Sequence, residues 1–118
     1  MKNELYYYSA YVTKVYDGDT ITVDIDLGLK TFVKGEKIRL YGINTPELRG
    51  KERDKGLKAR DYLRKLVLFK EITLHTIKDK KGKYGRYLGK VTVKNDDGKI
   101  IDVNNDLIQK GFAVKYKG

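Results

Sequence analysis

Asp17-Gly18-Asp19-Thr20-Ile21-Thr22-Val23-Asp24-Ile25-Asp26-Leu27 is the stretch whose reading decides the fold. Ile21, Val23, Ile25 and Leu27 alternate with Thr20, Thr22, Asp24 and Asp26, the period of two that turns one set toward a core and the other toward solvent. The Asp-Gly pair just before it is a hairpin signal. Parity makes Asp19 unusual, because it falls on the side of Ile21 and Val23, where a carboxylate is costly unless paired or bound to a cation. Four acids and no base lie between Asp17 and Asp26 in a chain with a large cationic surplus. That pattern suggests a local cation site. A turn role for Asp17, with the other acids facing water, explains the segment equally well.

Working outward, Leu5 to Tyr16 is aromatic and β-branched and predicts a long first strand, with Ala10 and Val12 on one parity and Tyr11, Thr13 and Val15 on the other. On the far side, a loop around Gly28 to Gly35 leads to a third strand over roughly Glu36 to Ile43. There Ile38 and Leu40 share one face, which leaves Arg39 and Tyr41 on the other and makes Arg39 a surface cation on a rigid element. Gly42 lets the backbone bend, Pro46 disfavours helix at Thr45, and Asn44 and Glu47 remain as oxygen-bearing side chains at the strand's exit. On local signals alone this is a capped turn.

Beyond a charged loop, Asp54 can cap a helix whose apolar stripe is Ala59, Tyr62, Leu63, Leu66 and Val67. Gly56 in its first turn weakens that start. Glu71 to Ile77 reads as strand four, Ile72 and Leu74 inward and His75 outward. Asp79 to Arg86 is a loop with four cations, two glycines and one aromatic. Charge runs are usually solvated turns, yet here Lys83 and Arg86 could hold phosphates and Tyr84 could stack on a base. Strand five spans Tyr87 to Lys94, and a second hairpin signal at Asn95 to Gly98 precedes Lys99 to Asp102. Asp102 or Asn104 caps a short helix that stops at Gly111, and a brief strand ends the chain.

The 118 residues predict one domain, 1–118, with no linker or repeat. Twenty-six Lys and Arg against 16 Asp and Glu give a net charge of +10, which favours a polyanionic partner, and ten tyrosines offer faces for base stacking. Without cysteine there are neither disulfides nor thiolate-bound metals, so a metal would rely on oxygen ligands or His75. No signal peptide or transmembrane stretch is visible, so no membrane association is expected, and the compartment stays open.

Three strands, a helix, two strands and a final helix are the order of a mainly β (α+β) protein, a five-stranded OB-fold Greek-key barrel with a helix between strands three and four and a short C-terminal helix. Such barrels bind ligands on strands two and three and on the loops joining strands one to two and four to five. Asp17, Asp19, Arg39, Asn44, Glu47 and Lys83 to Arg86 all fall there.

Asp17-Gly18-Asp19-Thr20, Arg39 through Thr45-Pro46-Glu47, and Lys83-Tyr84-Gly85-Arg86 resemble the three signature blocks of the staphylococcal nuclease (thermonuclease) family, in matching order from about Val12 to Ala113. The resemblance implies a calcium-dependent phosphodiesterase, a hydrolase that acts on DNA and RNA with little sequence preference. It implies metal binding by Asp19, Asn44 and the Thr45 carbonyl, with Asp17 behind them. Arg39 and Arg86 would grip the scissile phosphate, Glu47 would activate the attacking water, and Lys83 and Tyr84 would hold the neighbouring phosphate. Asn44 departs from the family's aspartate and lowers the expected calcium affinity, because affinity follows ligand charge. The long C-terminal helix of the prototype is missing, and its tail tyrosines do not map securely onto Tyr116. Single-stranded or frayed DNA and RNA are the expected partners of a monomer. The alternative is a weakened module of the same family that binds single strands or protein without cutting. A plain basic barrel that binds single strands by charge alone is a third reading.

Overall fold

In the computed structural model, residues 6–81 and 85–116 are described, with no account of the side chains of residues 78–84. Eight strands and two α-helices follow in order: β1 (Tyr7–Asp17), β2 (Thr20–Gly28), β3 (Thr31–Leu40), β4 (Ile43–Asn44), α1 (Arg53–Val67), β5 (Glu71–Lys81), β6 (Tyr87–Lys94), β7 (Ile100–Asp102), α2 (Val103–Gln109) and β8 (Val114–Lys115). β1 pairs antiparallel with β2 on one side and β5 on the other, β2 with β3, and β5 with β6. A parallel pairing of β3 with β6, Ile38 opposite Tyr87 and Leu40 opposite Gly89, closes five strands into the expected barrel. Closure leaves few strand edges exposed, the route small β-barrels take to avoid edge-to-edge association.

Val12, Ile21, Val23, Ile38, Leu74 and Val91 fill the interior with no solvent exposure. α1 packs on β1 and adds Ala59, Leu63 and Val67, one stripe at steps of four, while α2 packs on β6 and adds Val103 and Leu107. No described helix is long and apolar enough to cross a membrane.

Several expectations need correction. Val15 is buried with Ala10 and Val12, because the β1–β2 register slips between Val12 and Lys14, and this bulge resets the alternation. The wide loop at Gly28 to Gly35 does not exist. β2 and β3 run on to a two-residue turn in which Leu29 (φ 55°) and Lys30 (φ 61°) both take the left-handed conformation. That turn normally announces itself with Asn or Gly, and Leu-Lys gives no such signal. Strand three therefore starts at Thr31 and stops at Leu40, and Ile43 belongs to β4, paired with β8. β5 likewise runs past Ile77 to Lys81. Asp54 lies inside the first turn of α1 and does not cap it; the N-cap position is Glu52. Asp102, rather than Asn104, caps α2, accepting the Asn105 N–H at 3.2 Å. Asn104 is instead buried, with Oδ1 accepting the Val91 N–H (3.1 Å) and Nδ2 donating to the carbonyls of Tyr41 (2.9 Å) and Gly89 (3.2 Å).

Candidate nucleic-acid and metal site at the barrel mouth

Asp19 closes the β1–β2 turn and binds the exit of β3 twice. Its carbonyl accepts the Leu40 N–H at 2.8 Å, and its Oδ2 accepts the Thr45 N–H at 3.2 Å. The same Oδ2 lies 3.2 Å from Arg39 Nη1, which also donates to the Leu40 carbonyl at 3.1 Å. Arg39 Nη2 donates to Asn44 Oδ1 at 3.4 Å. The guanidinium is thus held by a carboxylate, a carbonyl and an amide oxygen, and its side chain is only 15% exposed. Arg39 is not the surface cation that strand parity suggests. The Tyr116 ring, 5.8 Å from the guanidinium, belongs to the residue just after β8, a strand whose pairing with β4 no local pattern announces.

Thr20 links the second arginine to this cluster. Its hydroxyl donates to Asp19 Oδ1 (3.3 Å) and accepts from Arg86 Nη1 (3.4 Å), while its backbone pairs with Arg39 across β2 and β3. Arg39 and Arg86 therefore flank the Asp19-Thr20 pair. Asp17 lies behind it, accepting the Asp19 N–H at 3.1 Å. Burial first, and then the negative charge of Asp19, push the Asp17 carboxyl up to about 6.

Glu47 is exposed, on a loop fixed by its neighbours rather than by its own side chain. The Glu47 N–H donates to Glu52 Oε1 at 3.2 Å, and the first turn of α1 presses on the same peptide. A Cβ at Gly56 would lie 2.3 Å from the Glu47 carbonyl oxygen. Glycine here is what lets the helix approach, not a weak start. Gly18 does the same at the turn, where a Cβ would come within 2.9 Å of Thr45 and closer still to Ala59.

The fold thus brings Asp19, Arg39, Asn44, Thr45 and Arg86 together and holds Glu47 two residues beyond Thr45. Lys83 and Tyr84 lie outside the described residues. No local signal marks Thr20, Glu52 or Gly56 as site residues. Thr20 reads as an ordinary alternating strand residue, and contacts between segments give the other two their roles.

Asp19 and Asn44 each direct an oxygen at the Arg39 guanidinium, Asp19 at Nη1 and Asn44 at Nη2, so a bound ion would share these oxygens with the arginine. The donors are all oxygen, which suits a hard divalent ion completed by water and phosphate oxygens. Among the described residues no three Asp, Glu, His or Cys side chains gather as a metal cluster, and of Asp19, Asn44 and the Thr45 carbonyl only Asp19 carries a negative charge.

Residues 37–118 match the family described as staphylococcal nuclease homologue. The chain belongs to that family. The family's matched region includes Arg39, Asn44, Glu47 and Arg86, and the Asp17-Asp19 turn precedes it. A protein of Methanocaldococcus jannaschii described only as uncharacterized is 32% identical over 133 aligned positions, covering 93% of this chain. The chain spans 60% of that relative's length.

Proposed function

We propose that this member of the staphylococcal nuclease family is a metal-dependent nuclease, calcium being the expected ion, that hydrolyses phosphodiester bonds of single-stranded or frayed DNA and RNA. The observation that carries this reading is the pair of arginines flanking Asp19, Arg39 at 3.2 Å and Arg86 through the Thr20 hydroxyl. Attack of water on a phosphodiester builds negative charge on the phosphoryl oxygens. Two guanidiniums held in place before the reaction stabilise that charge without reorganising, each donor worth about 10²–10³ in rate. Lysine would not reproduce their bidentate grip. Asp19, Asn44 and the Thr45 carbonyl would hold the ion, which when bound supplies a further positive charge beside the phosphate. Glu47 takes the proton of the attacking water, the bond from phosphorus to the leaving oxygen breaks, and that oxygen is protonated from solvent. Lys83 and Tyr84 are assigned to the neighbouring phosphate.

A second reading is favoured by Asn44, which is neutral and already engaged by Arg39. In it the site binds single strands without cutting them. Cleavage of denatured DNA and of RNA with added calcium, against a chelator and against Glu47→Gln, separates the two. The nuclease reading expects chelator-sensitive cleavage that Glu47→Gln lowers by about 10²–10⁴. Equal rates for the two proteins would show that the cleavage does not come from Glu47 and would overturn the nuclease assignment of this site, and no cleavage in calcium, magnesium or manganese would transfer the assignment to binding alone.

A further inference from the structure

Beside the arginine site, across Tyr116, lies a groove of about 480 Å³ whose lining includes Tyr41, Lys90, Lys115 and Tyr116. Its volume falls within the roughly 300–1,000 Å³ typical of ligand sites. Both tyrosines are exposed, Tyr41 to 40% and Tyr116 to 49%, and both are fixed through their backbones. Tyr41 donates its N–H to Gly89 (2.8 Å) and gives its carbonyl to Asn104 (2.9 Å), and the Tyr116 N–H donates to the Gly42 carbonyl (2.9 Å). Each ring has a cation over it: Lys90 Nζ lies 5.8 Å from the Tyr41 centroid, as the Arg39 guanidinium does from Tyr116. Asp102, the one acid among the described lining residues, is occupied in capping α2.

We propose that the Tyr41–Lys90 side of this groove is an additional nucleotide subsite. It would hold a nucleotide of a single strand beyond the scissile phosphate, with the base on Tyr41 and a phosphate between Lys90 and Lys115. The inference rests on the nucleic-acid reading of the neighbouring site. A rigid aromatic face accepts any base, since every base has a π-face, and paired lysines grip backbone without reading sequence. The partner is therefore a single strand, because the rings can stack only on bases freed from a duplex. Charge complementarity favours that occupant over a second copy of this chain, which carries +10 itself.

The test is binding of fluorescein-labelled oligo(dT) of two, four and eight nucleotides by anisotropy, with chelator present so that nothing is cut. Wild-type affinity should rise from two to four nucleotides as the strand reaches the groove. Tyr41→Ala should remove that gain, roughly five- to a hundredfold, while Tyr41→Phe keeps it. Lys90→Ala should lower the slope of log affinity against log salt by about 0.7, one phosphate contact on a single strand. If Tyr41→Ala and Lys90→Ala bind the longer strands as wild type does, the subsite is wrong, even where Glu47→Gln abolishes cleavage. If Tyr41→Ala changes the sedimenting mass and not the binding, the groove is a contact between copies. A wild-type protein that binds none of the strands overturns both this inference and the nucleic-acid reading beneath it.

Discussion

At Gly56 an added Cβ would meet the Glu47 carbonyl oxygen at 2.3 Å, so a residue with no side chain sets where the proposed general base stands. Gly56→Ala should therefore destabilise by about 2 kcal/mol through overpacking, although alanine in a free helix would gain nearly 1 kcal/mol over glycine. The urea midpoint should fall with the slope unchanged. If the loop yields instead of the helix, Glu47 moves, and a displacement near 1 Å can cost on the order of 10² in turnover. A stabilised Gly56→Ala protein with full cleavage would show that this packing does not position Glu47. The sequence led to Arg39, Asn44 and Glu47 because strand parity and a proline break are local signals. Gly56 looks locally like a weak helix start, because the steric reason for it lies nine positions away, outside the helix.

At the scale of elements, Asn104 ties α2 to both β6 and the residue after β3. Asn104→Ala leaves the Val91 N–H and the Tyr41 carbonyl without that partner, and should cost about 2–4 kcal/mol, read as a fall of roughly 10 °C or more in Tm. α1 and α2 are joined by the Tyr62 hydroxyl, which donates to Asp106 Oδ2, and the Tyr62 ring stacks on Phe112 with centroids 4.7 Å apart. Burial, and then the hydrogen bond and charge of Asp106, push the Tyr62 phenol up from 10 to about 12. A folded value above the unfolded one means this contribution is complete below pH 10 and lost as pH rises through about 12. Tyr62→Phe should thus cost about 1.5 kcal/mol at pH 8, and the difference from wild type should close by pH 12 in parallel urea titrations. A gap that stays constant with pH would place the effect in packing alone.

For the whole molecule, the +10 charge acts through where the barrel collects it. If Arg39, Arg86, Lys90 and Lys115 each meet a phosphate, single-strand affinity should fall roughly fiftyfold between 50 and 200 mM salt. A nearly flat salt response would mean that these cations do not meet the strand. The sequence by itself determined the family, the barrel's strand order and the residue types at its mouth. Alternation, turn chemistry and the three motif blocks are written within short spans, where period and spacing follow from backbone geometry. It also marked Asp19 as a carboxylate on an apolar parity, and the structure shows that residue buried against Arg39. Only tertiary structure decided that Val15 turns inward at a bulge and that Leu29-Lys30 makes a tight turn. The same holds for Arg39 being covered and Thr20 joining two arginines. The closing of β3 on β6, and of β4 on β8, brings those groups together from distant positions, and the resulting contacts depend on packing that no local period records.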